Sequence, residues 1–148
     1  MNVSVQEADF DVGVEIAALS KGDVGAGAVA SFVGLVRGDD VSAMTLEHYP
    51  GMTEAALAEI VSAAMGRWQL RGVRVIHRVG RLLPGDRIVF VGVASSHRHD
   101  AFVACEFIMD FLKTQAPFWK REETATGTRW VDARESDAAA KERWTNSR

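Results

Sequence analysis

From Ala101 to Leu112 the apolar side chains Ala101, Cys105, Ile108, Met109 and Leu112 recur at the spacing of one buried helical stripe. Phe102, Phe107 and Phe111 widen that stripe, so little of this helix is expected to meet water. Glu106, Asp110 and Lys113 form the narrow polar strip left over. Ser96 or Asp100 offers an oxygen to cap the helix start, and Pro117 stops it, having no N–H to donate. Other segments follow the two periods of helix and strand. Val3 and Val5 mark a short strand, and Asp11 caps a helix from Val12 to Ser20 with Val12, Ile16 and Leu19 inward. Gly25 to Arg37 turns from small residues into a strand through Phe32, Val33 and Val36. Val41 to Tyr49 alternates as a second strand, and the Gly38-Asp39-Asp40 turn between them predicts a hairpin. Thr53 is the expected cap of an amphipathic helix through Leu57, Ile60, Val61, Ala64, Met65 and Trp68. Val73, Val75, His77 and Val79 alternate in a further strand, after which Leu83 to Asp86 turns the chain. Ile88 to Ala94 is apolar on both faces, as a central strand requires. Past Pro117, segments 119–123 and 128–132 flank a short turn as a hairpin, and Ser136 or Asp137 caps a last helix ending near Trp144. The tail from Thr145 to Arg148 is expected to fray.

Strands and helices mix without a regular βαβ alternation, so the class is α+β with a mainly antiparallel sheet. The 148 residues are expected to form a single domain, 1–148, burying about 70% of the unfolded surface. A 47% hydrophobic and 25% charged composition is that of an ordinary globular chain. The formal charge of −3 disfavours general nucleic-acid binding, which calls for a basic excess. Nothing reads as a leader or membrane span, and a cytoplasmic protein is expected. Cys105, the single cysteine, lies on the apolar stripe and reads as an inert core thiol.

Against this acidic background, His97, Arg98, Lys113, Lys120 and Arg121 gather at the two ends of one apolar helix. Lysines and arginines are ordinarily just solvated. Here Lys113 sits at the margin of a buried surface, Phe118 and Trp119 offer walls, and the helix start beside His97 and Arg98 favours an anion. A pocket for a small anionic ligand follows. Lysines crowded by other cations can lose protons more readily and act as base or nucleophile as well as anion binder. Several chemistries are excluded by spacing: no zinc set, so no metal ligands are assigned, and no GxSxG elbow or Walker loop. Gly25-x-Gly27 lacks the third glycine of a dinucleotide loop, and close backbone packing explains it better. His77 reads as a hydrogen-bonded core histidine.

The runs LEHYPGMTEAALAEI, HRVGRLLPGDRIVFVGVASSHRHDAF, FIMDFLKTQAPFWKRE and RWVDARESD closely resemble the large, catalytic subunit of molybdopterin synthase, in the family's order, from about Phe32 to Trp144. The resemblance implies an α/β-hammerhead type fold with an added β subdomain. It implies a small ubiquitin-like sulfur-carrier partner whose C-terminal Gly-Gly thiocarboxylate enters a pocket on the large subunit. Two sulfurs then pass in turn to cyclic pyranopterin monophosphate, giving the dithiolene of molybdopterin, with no cofactor on the large subunit and no molybdenum at this step. It implies Arg37, His97 and Arg98 as substrate-binding groups, and Lys113 and Lys120 as the catalytic pair that also binds substrate, with Arg121 and Glu122 beside them. A homodimer within a heterotetramer is the implied assembly. The loop after Arg37 is short, with eight residues before Leu46, and Leu35 stands where a basic residue is frequent in the family. From the residues alone, a non-catalytic module for a phosphorylated metabolite or an acidic partner tail fits the basic cluster equally well. Single-stranded RNA binding by Phe118, Trp119 and the basic hairpin is a further reading.

Overall fold

The computed structural model describes residues 2–131 and 141–144. In chain order its elements are β1 (Val3–Gln6), α1 (Val12–Ser20), β2 (Ala28–Leu35), β3 (Ala43–His48), α2 (Met52–Arg67), β4 (Leu70–Arg78), β5 (Gly80–Leu82), β6 (Arg87–Ser95), α3 (Arg98–Gln115), β7 (Phe118–Thr124) and β8 (Gly127–Val131). Residues 141–144 add a helical turn. The strands form two four-stranded sheets, ordered β1-β4-β6-β2 and β5-β3-β7-β8. Within the described residues only β1 and β4 run parallel, which agrees with the antiparallel α+β class read from the sequence. The second sheet corresponds to the added β subdomain.

β6 is central in the first sheet, as its two-faced apolar run requires. Val89, Val91 and Val93 face α2 and α3, while Phe90 meets Phe10 and the inner side of α1. Ala101, Ala104, Cys105, Ile108 and Leu112 bury the stripe of α3 in the larger core. Each large apolar side chain so buried contributes on the order of 1.5–3 kcal/mol. Cys105 donates its thiol hydrogen to the Val91 carbonyl at 3.7 Å, the inert placement expected of it. A smaller core of Val36, Met44, Leu46 and Leu82, joined by Ile88, holds the second sheet against the end of the first.

Four expectations need correction. β2 and β3 make no hairpin: β2 pairs with β6, and β3 lies between β5 and β7 in the other sheet. Both strands alternate well, but the segment after Arg37 crosses between sheets, and Val36 is tied to the β6 side by its N–H to the Asp86 carbonyl. The cap of α2 is Gly51, at φ 86°, whose N–H reaches Glu54 Oε1 at 2.8 Å. Thr53 instead sits fully buried inside the helix, its hydroxyl donating to Tyr49 O and accepting from Tyr49 N–H. The cap of α3 is His97, with no side-chain cap bond, so neither Ser96 nor Asp100 performs that role. The chain stays extended through His97, and Asp100 falls in the first helical turn. Finally, Phe102 is 65% exposed rather than part of the buried surface. The expected cap at Ser136 or Asp137 and the tail from Thr145 lie outside the described residues.

Candidate functional site

The seam between the sheets opens into a cleft of about 830 Å³. One wall is the last turn of α3, carrying Leu112 and Lys113, with the turn residue Ala116 beyond it. Pro117 ends the helix, so the chain reverses at once into β7 and brings Lys120 to the same cleft. Strand alternation then selects what β7 contributes: Phe118, Lys120 and Glu122 face inward. Arg37 enters from the crossing segment after β2, and Arg129 from β8, where register sets it opposite Glu122.

The structure therefore gathers Arg37, Lys113, Lys120 and Glu122 of the residues expected from the sequence. Glu122 is held by Arg129 at 3.1 Å, which makes its carboxylate the anchor of a cation. Arg121 alternates onto the other face of β7, its guanidinium 5.6 Å from the Trp130 ring centre. His97 and Arg98 do not reach this cleft. They are exposed at the far end of α3, and Arg98 is separated from Lys113 by roughly 22 Å of helix at 1.5 Å per residue.

Other groups of the cleft escaped sequence reading. Arg129 lines it beside the acidic Asp39 and Asp40 of the crossing segment. The hairpin register could have pointed to Arg129, since residues opposite Glu122 share its face. His77 forms part of the floor. Its Nδ1 lies 2.8 Å from the Arg78 carbonyl, which can only accept, so Nδ1 carries the hydrogen. Its ring stacks on Phe118 with centroids 3.8 Å apart and planes inclined by 19°. Burial lowers its pKa to about 4, against a weaker opposing pull from the Arg78 carbonyl, and nearby Lys113 and His48 add to the lowering. The core-histidine reading thus holds, at the edge of the site. Burial likewise pushes the Cys105 thiol up to about 11.

Cations from a helix end, a crossing segment and two strands meet between the two four-stranded sheets. Fold and site together define an α+β protein with a cationic cleft at a sheet-to-sheet seam, suited to an anionic ligand. The MoaE protein family model matches residues 5–115. The chain is 64% identical over 146 residues to the molybdopterin synthase catalytic subunit of Ralstonia nicotianae, covering 96% of this chain and 83% of that one. It is 62% identical over 139 residues to the Escherichia coli protein of the same name, covering 91% and 92%. The solved MoaE protein from Burkholderia ambifaria superimposes with a TM-score of 0.85 at 56% identity, covering 97% of both chains. The chain belongs to the MoaE family. No helix among the described residues is long and apolar enough to cross a membrane.

Proposed function

We propose that the chain is the catalytic subunit of a molybdopterin synthase. It transfers sulfur from the thiocarboxylated Gly-Gly tail of a small ubiquitin-like subunit to cyclic pyranopterin monophosphate. The observation that carries the reading is the convergence of Lys113 and Lys120, from two different elements, on one cleft that also holds Arg37. A phosphate ester and a thiocarboxylate are both anions, and this group of cations suits both. Lys113, exposed at the end of α3, is the main catalytic group and meets the incoming tail. Lys120, half-buried, binds substrate and assists proton transfer. Arg37 holds the pterin phosphate, with Arg121 and Glu122 shaping the strand that carries Lys120. Sulfur arrives with the partner, so the chain has no resident cofactor of its own, and the setting is cytoplasmic.

His97 and Arg98 belong to this reading through a second copy of the chain. Exposed at the opposite end of α3 from Lys113, they complete a partner's cleft in a homodimer that sits within a heterotetramer. Residues expected to bind one substrate yet separated by the whole of α3 favour that assembly. Reconstitution tests the function directly. The purified chain, a thiocarboxylated small subunit and the cyclic pterin should yield the dithiolene product. Binding of a phosphorylated metabolite without any sulfur transfer would favour the non-catalytic module instead.

A further inference from the structure

Both catalytic lysines hang from one short reversal of the chain. Lys113 precedes it on the last turn of α3, Ala116 and Pro117 make it, and Lys120 follows on β7. Beneath that reversal lies His77, 6% exposed and not used by the reaction as described above. Its position ties together two crossings between the sheets. The first is the passage from β4 to β5, where the His77 Nδ1–H donates at 2.8 Å to the Arg78 carbonyl, the last residue of β4. The second is the passage from α3 to β7, where the ring face lies flat on Phe118, the first residue of β7. Phe118 also faces His48 on β3, its partner in the strand register.

An aliphatic side chain would fill this space but could satisfy neither crossing. Such a side chain offers the Arg78 carbonyl no donor, and a flat ring contact has an orientation that an aliphatic contact lacks. Nδ1 keeps its hydrogen for the Arg78 carbonyl, and burial, which lowers the pKa to about 4, leaves Nε2 bare near neutral pH, so no further positive charge stands under the lysines. The titratable and charged groups around it are Lys113 on α3, His48 on β3, Lys120 and Glu122 on β7, Arg129 on β8, and Arg37, Asp39 and Asp40 of the crossing segment, which share the cleft with it or act on its ring electrostatically. Burial, and after it the nearby Lys113 and His48, favour the neutral form against the pull of the Arg78 carbonyl.

We propose that His77 is a positioning residue of the sulfur-transfer site: its ring, oriented by the Arg78 carbonyl and stacked on Phe118, fixes the reversal that sets Lys113 and Lys120 at their working separation. The inference rests on the function proposed above. His77 touches neither substrate nor sulfur in this role and acts through Phe118. Displacement of a reacting group by about 1 Å can cost on the order of 10²-fold in rate, so a small change in the reversal is enough to matter.

The test compares His77→Ala, His77→Asn and His77→Phe in the full chain, each checked by thermal melting and reconstituted with thiocarboxylated small subunit and cyclic pterin. His77→Phe keeps the flat ring and should retain turnover within several-fold, although it melts earlier for want of the Nδ1–H. His77→Asn keeps a donor but loses the ring. It and His77→Ala should lose on the order of 10²-fold in kcat with KM for the pterin little changed, because Arg37 and the lysines remain. Phe118→Leu should lose a similar factor, and combining it with His77→Ala should cost little more than either alone. Carbon NMR of the lysine Cε groups gives a readout independent of turnover. The Lys113 and Lys120 signals should shift in His77→Ala and stay near wild type in His77→Phe. A folded His77→Ala chain with wild-type lysine signals overturns the inference, as does one with wild-type kcat. A wild-type chain that transfers no sulfur sinks the proposed function instead, and the lysine signals then decide the positioning role on their own.

Discussion

Lys113 is exposed at the last turn of α3, so replacing it leaves no cavity in the core. Lys113→Ala should nearly abolish dithiolene formation while the melting temperature stays close to wild type. Lys113→Arg should fail as well, because a guanidinium keeps its proton and cannot serve as base or amine nucleophile. Near-normal product formation by either variant would remove Lys113 from the centre of the reaction. His77 gives a second expectation at this scale. Its folded pKa is about 4 and its ordinary value 6.5, so between those limits the unfolded chain binds the proton more tightly. Its contribution is therefore fully present above about pH 6.5 and is lost as the pH falls toward 4, by on the order of 3 kcal/mol in all. The ion-paired carboxylates of Asp9, Asp23 and Glu123 are held below their usual range by their arginine partners, so their pairs break at lower pH still. Urea unfolding followed between about pH 7 and pH 4.5 should show the loss in the wild-type chain and a flatter profile in His77→Phe.

Among the elements, the start of α3 depends on a contact that its own sequence does not contain. A Cβ at Gly27 would run into the Ser96 carbonyl oxygen, a backbone atom with little room to move, and the Gly27 N–H already donates to the Ser95 carbonyl at 2.9 Å. Gly27→Ala should cost roughly 1–3 kcal/mol in a denaturant titration and disturb His97 and Arg98 before it disturbs Lys113. The small-residue stretch at Gly25 to Gly27 was legible as close backbone packing, but which backbone approached it was not. The same division runs through the other elements. α3, β6 and the β7–β8 hairpin were legible because each signal is local: a stripe, a two-faced apolar run, and a glycine turn between alternating segments. The separation of β2 from β3 was not, since alternation tells a strand which face to bury and not which neighbour to take. Thr53 looked like a cap by residue type, yet Gly51 takes that place because its positive φ lets the chain turn directly into α2. In the site, Lys113 and Lys120 could be read from the edge of α3 and the reversal at Pro117. Arg129 arrives by the register of the β7–β8 hairpin, a local signal from which it could have been found, whereas His77 arrives by sheet-to-sheet packing, which no short stretch encodes.

For the molecule as a whole, the sharpest expectation concerns the distance between the two ends of α3. If a second copy supplies His97 and Arg98 to the cleft, then an inactive Lys113→Ala chain and an inactive Arg98→Ala chain should complement one another. Their mixed dimers would hold one cleft with every group present, and part of the turnover should return. Heterodimers that demonstrably form yet recover nothing would assign each cleft to a single chain. Exchange followed by native mass spectrometry, with product formation measured on the same samples, separates these outcomes. The seating of Cys105 has a consequence at this scale too. An enzyme of sulfur transfer whose one thiol is 7% exposed and protonated up to about pH 11 is a poor acceptor for its own cargo. Radiolabelled sulfur loaded on the partner's tail should be found on that tail or in the product, and none should migrate with this chain on a denaturing gel. The folded enzyme should also tolerate an alkylating quench, so intermediates on the partner and the pterin can be trapped in mid-reaction while the catalyst goes unmarked.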